Sequence, residues 1–184
     1  MGDPIRTVAT GIDVAPIAWA LAEHPELWNQ NTARTASPDS PHHGVDDIWA
    51  RFAAPGVDGS APHDAVWYPA AHVLPVRDVV YDLARVFRAD RIGGVLITRI
   101  PPGGMVQPHV DTGWHAGFYR KFGVQIASDP QQGFCFDGVC HVSKPGEVFE
   151  FDNAQRHWVV NGSKDAARIT MIVCLRLEES CPGV

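Results

Sequence analysis

The chain has 184 residues and a mass of 20.1 kDa, with 45% hydrophobic and 20% charged residues, which is the profile of a globular protein with one sizeable core. Its net charge of −6 disfavours nucleic acid as a partner, and no apolar run approaches the roughly 20 residues of a membrane span. Residues 1–6 lack a secretory-signal pattern, so we expect a cytoplasmic protein without a membrane anchor. We also expect reduced, structural cysteines at Cys135, Cys140, Cys174 and Cys181.

Residues 1–90 predict helices and loops. One helix is predicted over residues 16–23, with Asp13 as its N-cap, and a longer one over residues 74–88, where apolar residues recur at helical spacing. Between them, residues 29–62 are rich in Ser, Pro, Asp, His and Gly, which is typical of a loop, with one short strand at residues 47–52. We predict that this part of the chain shapes a substrate pocket, because long loops in compact domains are commonly binding segments.

Residues 91–178 have a different character, with short β segments punctuated by turn sequences such as Asp137-Gly138 and Pro145-Gly146. This regular alternation of short strands and turns predicts a mainly β fold with flanking helices. Its form would be a double-stranded β-helix, the cupin-like jelly roll. We expect a single domain over residues 1–184, whose catalytic core is residues 91–178. The predicted strands are residues 93–100, 105–111, 119–127, 133–136, 139–142, 147–152, 157–161 and 167–177.

A metal-ligand pattern stands in the middle of this region. His109 and Asp111 are two residues apart, so on a β-strand their side chains leave the same face. His157 follows 48 residues later and would supply a third ligand. Two histidines and one carboxylate occupy three coordination positions and leave others open, as non-haem Fe(II) oxygenases require.

One face of the last predicted strand is wholly apolar, and Arg168 lies on the opposite face. If the segments that start at His157 and Ala167 form a hairpin, Arg168 lies opposite Val159, on the face that His157 shares. A buried arginine is costly unless it is paired, and its guanidinium can bind a carboxylate in bidentate fashion. The pattern therefore predicts an anionic ligand beside the metal.

With these motifs in place, residues 91–177 resemble the aspartyl/asparaginyl β-hydroxylase family of 2-oxoglutarate-dependent Fe(II) dioxygenases. The first ninety residues have no counterpart in this resemblance. The matching residues are Pro108 to Asp111, Arg120, Pro145 to Asp152, His157, Val159, Asn161, Arg168 and Ile169.

The resemblance implies particular roles for these residues. Arg168 would bind the distal carboxylate of 2-oxoglutarate, Arg120 would be a second basic residue near this co-substrate, and Thr98 would assist with its hydroxyl group. Asn161 is expected to hydrogen-bond near the metal-binding histidine of the same strand. The implied Fe(II) ligands are His109, Asp111 and His157.

The activity that the resemblance implies uses dioxygen to hydroxylate an unactivated carbon of an amino acid, a peptide or protein side chain, or a small metabolite. The residues alone leave two alternatives: a non-catalytic cupin-like protein that binds a metal or small molecule, and a zinc-dependent hydrolase on the same barrel. For the substrate we predict that Arg34 or Arg51 binds an anionic group and that Trp67 or Trp114 forms an apolar wall. The pair His42-His43 is expected to be solvated.

Overall fold

The computed structural model describes residues 3–178, which form eleven β-strands, four α-helices and one 3-10 helix at Pro25–Leu27. No helix within these residues is long and apolar enough to cross a membrane. The helices are α1 (Ala15–Glu23), α2 (Ala70–Val73), α3 (Val76–Val86) and α4 (Trp114–Phe118). The strands are β1 (Ile5–Ala9), β2 (Asp46–Ala53), β3 (Ala65–Trp67), β4 (Ala89–Ile100), β5 (Met105–His109), β6 (Arg120–Ala127), β7 (Gln132–Phe136), β8 (Val139–His141), β9 (Val148–Phe151), β10 (His157–Asn161) and β11 (Arg168–Leu177).

The strands form two antiparallel sheets. The larger has the order β1-β9-β6-β11-β4-β2-β3, and the smaller has the order β5-β10-β7-β8. Side chains from both sheets pack between them, including Phe134 and Val159 from the smaller sheet and Phe149 and Ile100 from the larger one. The predicted double-stranded β-helix is confirmed, because the eight predicted strands all form and their sheets pack face to face.

Helices α1, α2 and α3 cover the outer face of the larger sheet. Ile17 of α1 and Val80 of α3 lie in one buried cluster with Met171 and Val173, so the apolar face of β11 packs against helices rather than against the smaller sheet. The N-terminus of α1 differs slightly from the prediction: Val14 is its N-cap residue, while the carboxylate of Asp13 accepts a hydrogen bond from the Ala15 N–H at 3.1 Å.

The predicted hairpin between the last two strands is wrong. β10 pairs with β5 and β7, whereas β11 pairs with β4 and β6, so the two strands belong to different sheets. Arg168 therefore pairs with Ile100 and not with Val159. The connection of residues 162–167 crosses from one sheet to the other, as the jelly-roll topology requires.

Asn161 stabilises this crossing. Its side-chain amide donates to the carbonyl groups of Ile100, Pro101 and Ala166 at 2.9–3.0 Å, and its side-chain oxygen accepts from the Ser163 N–H at 3.0 Å. The side chain, which is buried, thus joins the end of β4 to the connection that follows β10. Its hydrogen bonds are to backbone groups of these turns, so the structure gives Asn161 a role in the fold rather than beside His157.

The expectation of reduced cysteines is wrong for one pair, because Cys135 and Cys140 form a disulfide. They face each other across the β7–β8 hairpin, whose two-residue turn has Gly138 at φ +89°. Cys174 is free and buried, and Cys181 lies outside the described residues. Disulfides are commoner in oxidising compartments, so the cytoplasmic location stays a prediction.

We expect the disulfide to contribute about 2 kcal/mol to the free energy of unfolding, because it closes a loop of only a few residues. Urea denaturation of the oxidised protein and of the Cys135→Ser/Cys140→Ser variant would measure the difference. A reducing agent should lower the stability of the first protein and leave that of the variant unchanged. If both proteins had the same free energy of unfolding, with and without the reducing agent, the disulfide would contribute nothing to stability.

Candidate active site

His109, Asp111 and His157 come together where two strands of the smaller sheet meet. His109 ends β5, His157 begins β10, and the two residues are direct partners in the antiparallel pair. Asp111 lies just beyond β5, with its Oδ1 atom 3.5 Å from His109 Nε2. One ligand atom from each residue lies within 4.8 Å of the other two, which is the proximity that a shared metal ion requires.

Backbone carbonyl groups orient both imidazoles. Nδ1 of His109 is 2.7 Å from the carbonyl oxygen of Gln107, and Nδ1 of His157 is 2.9 Å from that of Gln155. A carbonyl oxygen only accepts, so each Nδ1 carries the proton and each Nε2 keeps a lone pair for a metal. Burial lowers the pKa of His157, which favours the neutral form that acts as a ligand.

Lys121 is a site residue that the sequence reasoning missed. Its ammonium group forms an ion pair with Oδ2 of Asp111, while Oδ1 lies toward His109. Burial alone would raise the pKa of Asp111, but the neighbouring His109 imidazole and the charge of Lys121 outweigh it and hold the pKa well below its usual range. Asp111 is therefore a carboxylate at neutral pH.

Arg120 does not reach this cluster. It is exposed, its Nε donates to Glu150 at 2.5 Å, and with Arg6 it lines a separate groove on the outside of the protein. Successive side chains of a strand leave opposite faces, so on β6 the inward position belongs to Lys121. Strand alternation indicates that Arg120 and Lys121 leave opposite faces, but it does not say which of the two faces inward.

Arg168 lies in the same cavity as the three candidate ligands and is almost completely buried. Its Nη1 donates to the hydroxyl group of Thr170 at 2.5 Å, but its buried Nη2 has no partner within the described residues. Burial lowers the pKa of Arg168 to about 10, which still leaves it charged at neutral pH. A buried cation with an unused donor is costly, and an anionic ligand would remove that cost.

Arg34 reaches the cavity from the loop before β2 and is held in a hydrogen-bonded network. Its Nε donates to Asp47 at 2.8 Å, and its Nη2 donates to His42 Nδ1 at 3.1 Å and to the Thr98 hydroxyl at 3.3 Å. Thr98 in turn donates to Asp47 at 2.8 Å. The structure therefore brings Arg34 and Thr98 to the cavity, with the Thr98 proton committed to Asp47, while their ligand-binding roles stay predictions.

His42 and Asp47 were not foreseen as site residues. The expectation that His42 is solvated is wrong, because it lines the cavity, and burial together with the charge of Arg34 lowers its pKa to about 2. Asp47 is fully buried behind Arg34. No local pattern marks His42, but the acidic start of the predicted strand at residues 47–52 was a signal for Asp47.

The three other predicted substrate residues lie elsewhere. The guanidinium of Arg51 is 5.1 Å from the centre of the Trp67 ring, and neither residue lines the cavity. Trp114 lies in α4, with its indole N–H donating to the Gly59 carbonyl at 3.2 Å, and it lines a separate groove with His63.

The fold and the site thus define a double-stranded β-helix protein with a 2-His-1-carboxylate cluster and a buried arginine in one cavity. The volume of this cavity is about 80 Å³. Its lining residues are Arg34, His42, Thr98, Ile100, Val106, His109, Asp111, Lys121, Phe134, Phe151, His157, Val159, Arg168, Thr170 and Ile172.

Comparison with solved structures shows the same fold in 2-oxoglutarate- and Fe(II)-dependent oxygenases. An oxidoreductase of the 2OG-Fe(II) oxygenase family from Burkholderia pseudomallei has a TM-score of 0.62 at 11% identity, covering 94% of this chain and 85% of its own. A second similar structure is a Trichoplax adhaerens prolyl hydroxylase in complex with a peptide fragment of the hypoxia inducible factor oxygen degradation domain. Its TM-score is 0.61 at 12% identity, and the match covers 96% of this chain and 84% of the hydroxylase chain. HygX from Streptomyces hygroscopicus, with nickel and 2-oxoglutarate bound, has a TM-score of 0.58 at 12% identity. The match covers 95% of this chain and 83% of the HygX chain.

At the level of sequence the chain matches no protein-family model, and the search of curated proteins gives no significant match. The structural likeness is to the oxygenase fold in general. It does not single out the aspartyl/asparaginyl β-hydroxylases, so that narrower resemblance stays a prediction.

Proposed function

We propose that this protein is a 2-oxoglutarate- and Fe(II)-dependent dioxygenase that hydroxylates an unactivated carbon of its substrate. Its metal ligands would be His109, Asp111 and His157, and Arg168 with Thr170 would bind the distal carboxylate of 2-oxoglutarate. Bound Fe(II) and 2-oxoglutarate would supply the chemistry, in which oxidative decarboxylation to succinate and CO₂ is coupled to oxidation of the substrate by dioxygen.

The observation that supports this proposal best is the unpartnered Nη2 of Arg168, which lies in the same cavity as a complete metal-ligand set. A cupin-like protein that only binds metal has no use for a buried guanidinium there. A zinc-dependent hydrolase needs its metal and a water molecule, but it needs no second, fully buried anion-binding group. A dicarboxylate such as 2-oxoglutarate uses both, because one carboxylate can reach the metal while the other pairs with Arg168.

The side chains of the cavity have separate tasks in this proposal. Lys121 holds one carboxylate oxygen of Asp111, which leaves the other directed toward the two imidazoles. The Gln107 and Gln155 carbonyl groups fix the ring orientations of the histidines. Apolar walls limit the access of water to the reacting groups. These wall residues are Ile100, Val106, Phe134, Phe151, Val159 and Ile172.

Succinate formation tests this function without knowledge of the substrate. We expect the protein, supplied with Fe(II), ascorbate, dioxygen and 2-oxoglutarate, to convert the co-substrate slowly to succinate, because such enzymes often turn over without their prime substrate. Proton NMR of the mixture would detect the product, and EDTA or replacement of Fe(II) by Zn(II) should stop its formation. If no succinate forms and the Mn(II)-loaded protein also fails to bind 2-oxoglutarate, the proposal is wrong.

A further inference from the structure

We infer that the prime substrate carries a carboxylate and that Arg34 and His42 bind it on the open side of the cavity. This inference rests on the proposed function and adds the chemical class of the substrate to it. It depends on the charge of the cavity, on the hydrogen-bonding atoms that Arg34 and His42 leave unused, and on the position of His42 beside His109.

The cavity has more positive charge than the proposed ligands neutralise. Arg34, Lys121 and Arg168 are its three permanent cations, while Asp111 in the lining and Asp47 behind it are the two carboxylates. A divalent metal ion and the dianion of 2-oxoglutarate cancel each other, so one positive charge remains. An unneutralised charge in a partly buried site is unfavourable, and a monoanion such as a carboxylate would neutralise it.

Arg34 is the cation best placed to receive this group. Arg168 is committed to the co-substrate in the proposed function, and Lys121 is paired with Asp111. The hydrogen bonds of Arg34 use Nε and Nη2, which leaves Nη1 for a ligand. The Arg34 side chain is also 27% exposed, against 15% for Lys121, so a substrate that arrives from solvent can reach it.

His42 supplies a second donor next to Arg34. A guanidinium only donates, so Nδ1 of His42 accepts the hydrogen bond from Arg34 and the proton of the neutral ring lies on Nε2. The ring centre of His42 is 5.0 Å from that of His109. A carboxylate held by Arg34 and His42 would therefore lie beside the metal ligands, where a substrate has to bind for its carbon to react.

The two donors are held in place before any ligand binds. Asp47, which is fully buried, and the buried Thr98 fix the guanidinium of Arg34. On the same loop, the Pro41 carbonyl accepts a hydrogen bond at 2.8 Å from the N–H of Gln107, which lies in β5 two residues before His109. The loop that carries His42 is thus joined to the strand that carries a metal ligand, and such preorganisation lowers the entropic cost of binding.

Paramagnetic relaxation of ¹³C-labelled acetate tests this inference without turnover. The protein would be loaded with Mn(II) and saturated with 2-oxoglutarate under nitrogen, so that the co-substrate site is filled, and then titrated with acetate. We expect saturable relaxation of the acetate carboxyl carbon by the metal, and no such effect on acetamide at equal concentration. The Arg34→Gln variant should bind acetate about tenfold more weakly or worse, because a charge-assisted hydrogen bond is lost.

Two further variants complete the test. His42→Phe keeps the Arg34–Asp47 ion pair and removes the second donor, together with the hydrogen bond that His42 Nδ1 accepts from Arg34. It should therefore also weaken acetate binding, even if Arg34→Gln proves too unstable to study. Arg51→Gln is the matched control, since Arg51 lies outside the cavity, and it should bind acetate like the unmodified protein.

The possible results separate the two proposals. Acetate relaxation that is unchanged in both Arg34→Gln and His42→Phe would mean that acetate binds the metal itself, and this would overturn the inference alone. So would a loss of 2-oxoglutarate binding in these variants, because the pair would then belong to the co-substrate. Failure of the unmodified protein to bind Mn(II) would overturn the proposed function and this inference with it.

Discussion

Replacing His157 with alanine is expected to abolish metal binding, and His109→Ala should do the same. Each change would remove one of the three candidate ligands, and the other two are too few to hold a divalent ion tightly. We expect the affinity to fall more than a hundredfold, since changes to groups that merely support a ligand already cost about 10- to 100-fold. Isothermal titration with Mn(II) under nitrogen would measure the loss. Asp111→Ala should weaken binding less, because both imidazoles remain.

The matched control for these variants is His43→Ala. His43 is exposed and follows His42, the loop residue that lines the cavity. The control variant should bind Mn(II) as the unmodified protein does. If the double variant His109→Ala/His157→Ala also binds Mn(II) with unchanged affinity, the three residues are not the metal site.

Arg168→Met is expected to leave metal binding intact and to weaken 2-oxoglutarate binding severely. Removal of one partner from a buried, charged hydrogen-bonded pair typically costs about 2–5 kcal/mol, which corresponds to roughly thirty- to several-thousand-fold in affinity. Titration of the Mn(II)-loaded variant with 2-oxoglutarate would measure the change. Arg176→Met is the control, because Arg176 lies on the same strand but is partly exposed and pairs with Asp90 on the surface.

Arg168→Met should weaken 2-oxoglutarate binding but raise the stability of the ligand-free protein. Arg168 is buried there with an unsatisfied donor, and methionine would fill a similar volume without a charge. We expect the free energy of unfolding of the ligand-free variant to rise by about 1–3 kcal/mol, by analogy with buried charges that are replaced by apolar groups. Unchanged 2-oxoglutarate affinity together with lower stability would instead make Arg168 a structural residue.

Much of the architecture could be predicted from local patterns. The eight strands after residue 90 are marked by β-rich segments between Gly- and Pro-containing turns, and α3 is marked by its helical periodicity. The three candidate metal ligands were also recognisable, because His-x-Asp and a later histidine form an unusual combination of residues. Such features depend on residues close together in the chain, and their backbone geometry follows from local sterics and hydrogen bonding.

Strand pairing could not be predicted in this way. The hairpin prediction for β10 and β11 assumed that neighbours in sequence are neighbours in a sheet, whereas the structure pairs β11 with β4 and β6. The deciding contacts are non-local, such as those that the Asn161 amide makes with the carbonyl groups of Ile100 and Pro101 about 60 positions earlier. Arg168 nevertheless lies in the cavity with the candidate metal ligands, because it faces the smaller sheet from the opposite one.

The sequence by itself determined the fold class, the candidate metal ligands and the buried arginine, since strand periodicity and the chemistry of these residue types are local properties. Only the tertiary structure decided which basic residues enter the cavity. It places Lys121 inside and Arg120 outside, and it brings Arg34 and His42 to the cavity while Arg51 packs on Trp67. The physical reason is that charged side chains on strands and loops have no periodic signature of their own. Their positions depend on the partners that the fold brings to them, such as Asp47 for Arg34 and Asp111 for Lys121.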